Sequence, residues 1–115
     1  MRRQDGATIL DVLHAARKAL DFLGDLDLAG LLADEKTQSA VLHQLLVVGE
    51  AVKRLSPEFR EGRPDVPWKK IAGMRDFLVH AYDDVDVWSV YETLKTDVPD
   101  LLERLRDAAP DREST

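Results

Sequence analysis

Apolar residues in this chain recur three and four positions apart over long stretches, and no segment alternates apolar and polar residues for long. A chain with that spacing buries one face only by winding into α-helix. The spacing predicts a first helix from about Ala7 to Leu23, with Ile9, Leu10, Val12, Leu13, Ala16, Leu20 and Leu23 as its buried stripe and Gly24 as its stop. Asp27 to Ala33 reads as a short helical turn. Asp34 is placed to cap a long second helix, about Glu35 to Leu55, whose Val41, Leu42, Leu45, Val48, Val52 and Leu55 form a wide apolar face. Gly49 weakens that helix, so a close approach by another backbone is expected there.

Ser56-Pro57-Glu58-Phe59 is the start signature of one helical turn, followed by a loop from Glu61 to Val66. Pro67 opens a third long helix, expected to run to about Tyr82. Asp83-Asp84-Val85-Asp86 breaks it and caps a fourth, from Val87 to about Ala109, with Pro99 expected to kink it. The connections are short, so the predicted fold is all-α, an antiparallel four-helix bundle. Its 115 residues suit one domain spanning 1–115, with a frayed tail after Pro110. The width of the second helix's apolar face fits either burial inside one bundle or a dimer.

With no cysteine, disulfides and thiolate metal sites are excluded. The charged Met1-Arg2-Arg3-Gln4-Asp5 start leads into no apolar run long enough for a signal peptide or membrane span, so a soluble, cytoplasmic protein with no membrane association is expected. The net charge of −6 argues against a general nucleic-acid coat. Its distribution is uneven. Between Lys53 and Arg75 seven bases (Lys53, Arg54, Arg60, Arg63, Lys69, Lys70, Arg75) face three acids, whereas from Asp83 onward ten acids face four bases. Both segments could be ordinary solvated surface. The basic stretch nevertheless ends at a cluster of reactive side chains, which favours a phosphate-binding surface with Lys53, Lys69 and Lys70 as candidate RNA contacts.

That cluster is Arg75-Asp76-Phe77-Leu78-Val79-His80-Ala81-Tyr82, an R-x4-H-x-Y spacing inside an apolar segment. Histidine can give and take protons near neutrality, and arginine grips a phosphate through two parallel hydrogen bonds. The pair suggests phosphodiester cleavage. Projected on one helix, Arg75 and Tyr82 nearly eclipse and His80 is rotated about 140° from Arg75, so Arg75 and His80 would bound a shallow groove floored by Asp76, Ala72 and Val79. Metal-ligand spacing such as H-E-x-x-H is absent, and neither a metal nor a cofactor is expected. Glu50, set among Val47, Val48, Gly49, Ala51 and Val52, is either an exposed helix residue or a buried acid paired with a cation such as Arg75.

Asp34-Glu35-Lys36-Thr37-Gln38, Val48-Gly49-Glu50-Ala51-Val52-Lys53-Arg54-Leu55-Ser56-Pro57-Glu58-Phe59, Val66-Pro67-Trp68, Gly73 to Tyr82 and Val98-Pro99 together resemble the HepT-like branch of the HEPN superfamily. The likeness runs from about Ile9 to Leu105, in order and without visible insertions. R-x4-H alone would be a weak signal, but the accompanying blocks make it specific. The resemblance implies the HEPN four-helix fold, a homodimer with the two R-x4-H motifs facing across the two-fold, and metal-independent endoribonuclease activity carried by Arg75 and His80. It further implies a toxin partnered by a minimal nucleotidyltransferase antitoxin that silences it by AMPylation of the tyrosine matching Tyr82. Asp76 departs from the family, where asparagine is common, by placing a negative charge near the expected phosphate.

RNA supplies its own 2′-OH nucleophile, so His80 would act as general base or acid and Arg75 would stabilise the phosphorane. Asp76 and Glu50 are candidate supporting residues. One histidine cannot easily serve both proton transfers, and a dimer could supply a second. Two other readings remain from the residues: a non-catalytic helical module that binds a nucleotide or the nucleotidyltransferase, and a purely structural dimerisation bundle.

Overall fold

The computed structural model describes residues 3–80 and 84–110. Helix α1 (Arg3–Leu23) begins four residues earlier than its apolar stripe suggests. The reason is tertiary. Asp5 is buried and accepts hydrogen bonds from the Ser56 backbone N–H at 2.8 Å and its hydroxyl at 2.6 Å, fastening the first turn of α1 to a loop fifty residues away. Gly24 ends α1 in the left-handed region at φ 57°, where glycine has no Cβ to clash.

The short α2 (Leu28–Leu32) is capped by Asp27, and α3 (Glu35–Lys53) by Asp34, whose carboxylate accepts from the Thr37 N–H at 3.0 Å and hydroxyl at 2.7 Å. These two bonds hold Asp34 below the usual carboxylate range. Ser56 caps the single turn α4 (Pro57–Glu61), as its sequence signature requires. α1 and α3 lie side by side as the main layer, and Ile9, Val12, Leu13, Ala16, Val41, Leu45, Val48 and Val52 fill the space between the helices.

The third helix differs from expectation. In place of one helix from Pro67 to Tyr82 there are two single turns, α5 (Trp68–Ala72) and α6 (Met74–Leu78), joined at Gly73. The chain then turns extended. β1 (Val79–His80) pairs antiparallel with β2 (Asp84–Val85), with Val79 opposite Val85 and His80 opposite Asp84. Leu78 is fully buried, and its carbonyl accepts from the Asp86 N–H at 2.9 Å, closing this hairpin against the core. Tyr82 lies outside the described residues.

α5 docks on α3 through Gly49. A Cβ there would stand 3.1 Å from the Ile71 carbonyl oxygen and 3.7 Å from that of Ala72, which is the close backbone approach expected at this glycine. Trp68 anchors the same region by donating its indole N–H to the carbonyls of Arg60 and Arg63, each at 3.0 Å, with its ring edge-on to Phe59.

The last helical segment is α7 (Val87–Glu92), a wide π-helical turn (Thr93–Asp97), α8 (Val98–Leu105) and a closing 3₁₀ turn (Arg106–Ala108). Pro99 sits in the first turn of α8, where a missing N–H is tolerated, and the π turn before it absorbs the interrupted ladder. α8 packs on α1 and closes the all-α bundle. No helix of the described residues is long and apolar enough to cross a membrane.

Candidate active site

Arg75 projects from α6 as an exposed side chain with no carboxylate in ion-pair range among the described residues. It lines a depression with Leu46, Gly49 and Glu50 of α3 and Ala72 of α5. The Gly49 contact that presses α5 onto α3 therefore also sets where Arg75 sits. Glu50 is not a buried partner for Arg75. Its side chain is 63% exposed and pairs with Lys53 at 3.2 Å, one turn along α3. The solvent-facing alternative for Glu50 is the observed one, because the apolar residues around it face inward while it faces out. Asp76 is exposed beside Arg75 and forms no ion pair with it.

His80 is held differently from the helical projection. It lies on β1, so the groove drawn on one continuous helix does not exist, and Arg75 and His80 occupy separate elements with different neighbours. No hydrogen bond or ion pair joins them among the described residues. The His80 side chain is 57% exposed, and its Nε2 stands 3.6 Å from Oδ2 of Asp86. Asp86 is fixed from three sides. Its N–H donates to Leu78, its Oδ1 accepts from the Ser89 N–H at 3.0 Å, and its Oδ2 accepts from the Ser89 hydroxyl at 2.8 Å. The Ser89 bonds, and then the nearby imidazole, keep this carboxyl below its ordinary range, so it is a negative charge at neutral pH.

Asp86 is thus the site residue that the sequence pattern marked only as a helix cap. The cap role is correct, since Asp86 precedes α7 and bonds Ser89. Its second role toward His80 depends on a six-residue separation bridged by the hairpin, which no local spacing reveals. A carboxylate against one imidazole nitrogen favours a fixed ring orientation.

The seven bases of the central stretch divide into two groups. Lys53 pairs with Glu50, Arg54 with Asp11 at 3.4 Å, Arg63 with Asp65 and Asp107, and Lys70 with Asp97 at 3.1 Å. Arg60, Lys69 and Arg75 have no carboxylate in ion-pair range among the described residues. Of the three candidate RNA lysines, Lys53 and Lys70 are therefore already neutralised locally, and Lys70 is drawn toward the π turn, away from Arg75. Among the described residues no group of three or more His, Cys, Asp or Glu is placed to hold a metal ion.

The family model described as "Ribonuclease HepT-like" matches residues 12–108 of the chain. A protein of Thermococcus cleftensis named "Probable ribonuclease HepT" is 37% identical over 109 residues, covering 92% of this chain and 99% of that one. A protein of Methanocaldococcus jannaschii named "Putative RNase MJ0125" is 34% identical over 112 residues, covering 97% of each. No solved structure gives a significant match. With a family model covering most of its length and relatives of similar size aligned from end to end, this chain belongs to the HepT-like ribonuclease family.

Proposed function

We propose that this chain is an endoribonuclease that cleaves RNA without a metal ion, through Arg75 and His80. The observation that carries this reading is the pairing, within five residues, of an exposed arginine with no carboxylate partner among the described residues and an exposed histidine backed by a fixed carboxylate, Asp86. In the reaction the 2′-oxygen attacks the adjacent phosphorus, the P–O5′ bond breaks, and the products are a 2′,3′-cyclic phosphate and a 5′-OH. The imidazole either accepts the 2′-OH proton or gives one to the departing 5′-oxygen, and Arg75 meets the charge that builds on the phosphorane oxygens.

The reading includes a homodimer. Arg75 and His80 of one chain share no bond, and the R-x4-H motif of one chain carries a single imidazole, so a second copy supplies the other proton-transfer group. The face of α3 beside Arg75's depression supports this, since His43, Leu46 and Val47 there lie in an open hollow with Glu50 and Arg54, and Leu46 and Val47 are only half covered. The reading also places the protein in a toxin–antitoxin pair. There a minimal nucleotidyltransferase transfers AMP to Tyr82, and the added phosphate competes with RNA for Arg75.

The test is cleavage of RNA by purified protein in EDTA, with His80→Ala and Arg75→Lys beside the wild type. General acid–base help is worth roughly 10²–10⁴-fold, so His80→Ala should lose at least that much. Arg75→Lys should fail because an ammonium lacks the two-pronged geometry. Wild-type rates in either variant, with a cyclic phosphate still formed, would remove the assignment.

A further inference from the structure

Three bases of the central stretch, Arg60, Lys69 and Arg75, have no carboxylate in ion-pair range among the described residues, and two of them share a groove. Lys69 lines this open groove with Pro57, Arg60 and Glu61 of α4 and with Trp68. Arg60 is half-buried there, and its Nε is withdrawn from water without a hydrogen-bond acceptor. Its backbone carbonyl, by contrast, is taken by the Trp68 indole, so the residue is held in place while its charge stays uncommitted.

A guanidinium already partly desolvated gains more from an anion than a fully hydrated one, because part of the cost of losing water is built into the fold. Lys69 and Arg60 outnumber the one acid of the lining, Glu61, and Pro57 and Trp68 add apolar surface. Lys69 and Arg75 are six residues apart across the Gly73 junction, at most roughly 20 Å even for extended chain, which a single RNA strand spans in a few nucleotides.

We infer that the Arg60–Lys69 groove is a second phosphate-binding subsite, which holds the RNA strand a few nucleotides from the bond cut at Arg75 and His80. The inference rests on the ribonuclease reading and adds a substrate-positioning site to it. It predicts a preference for RNA long enough to reach both sites.

The probe is a long 2′-O-methyl oligonucleotide, which binds but cannot be cleaved, titrated by fluorescence anisotropy at several salt concentrations. Lys69→Ala and Arg60→Gln should each lower the slope of log K against log[salt] by about 0.7, the value for one phosphate contact on a single strand, and the double variant by about twice that. Lys36→Ala, at an exposed lysine near the start of α3, serves as the control. Cleavage of a long RNA should fall more than cleavage of a dinucleotide. Lys69→Ala carries the test if Arg60→Gln fails to fold, since Lys69 is exposed. Unchanged slopes, with His80→Ala still abolishing cleavage, would overturn the subsite and leave the ribonuclease reading standing. A loss of nucleotidyltransferase binding with RNA slopes unchanged would assign the groove to that protein and equally overturn the subsite. A wild-type protein that cleaves no RNA in any condition would remove both.

Discussion

Asp86→Asn separates the two tasks of one side chain. Asparagine caps helices about as well as aspartate, so the Ser89 N–H keeps an acceptor and stability should change by less than about 0.5 kcal/mol. Asp86→Ala removes that acceptor and should cost about 1 kcal/mol. Both variants remove the charge 3.6 Å from His80. A unit charge at that distance is worth about 1 kcal/mol in water and about 4–5 kcal/mol at a protein-like dielectric. Since the imidazole is more than half exposed, the water-like end applies, and the cleavage rate should fall about fivefold in each variant. Single-turnover cleavage and thermal unfolding, measured on the same preparations, read the two effects separately. The expected pattern is an equal rate loss in both and a stability loss in alanine alone. Wild-type rates in both variants would show that Asp86 only caps α7, and an asparagine variant as unstable as alanine would show that the carboxylate charge, not the cap geometry, holds the hairpin.

Gly49→Ala should be near neutral, because roughly 1 kcal/mol of helix propensity is offset by a Cβ only 3.1 Å from the Ile71 carbonyl. Gly49→Val should destabilise by about 2 kcal/mol through the same contact, and urea denaturation showing it as stable as wild type would refute the backbone approach. Asp34 and Asp86 both titrate below the ordinary carboxylate range when folded, so the unfolded chain binds more protons as the pH falls. Their contribution should be fully present above about pH 4 and lost below it, and the drop in melting temperature across that window should shrink in Asp34→Asn/Asp86→Asn. Tyr82→Phe should stay toxic when expressed with the nucleotidyltransferase, and an AMP adduct still found on that variant would place the modification elsewhere.

Much of the architecture follows from local pattern. The stripes of α1 and α3, the caps at Asp27, Asp34, Ser56 and Asp86 and the stop at Gly24 are all properties of a few neighbouring residues, and each has one low-energy local solution. The family was legible for the same reason, since its blocks stand at characteristic intervals along the chain. Where tertiary contacts outweigh local preference, the sequence pattern misleads. Met74, Leu78 and Ile71 keep helical spacing, yet the chain leaves the helix after Leu78 because Val79 gains a strand partner in Val85 and Leu78 gains the Asp86 N–H. Those bonds form between residues six to eight positions apart, a separation that a helical period does not reveal. The buried Asp5, the division of the bases into paired and uncommitted, and the carboxylate behind His80 are likewise decided by which surfaces meet. Composition and spacing supplied the reactive side chains, and only packing determined which charges neutralise one another and which remain for a ligand.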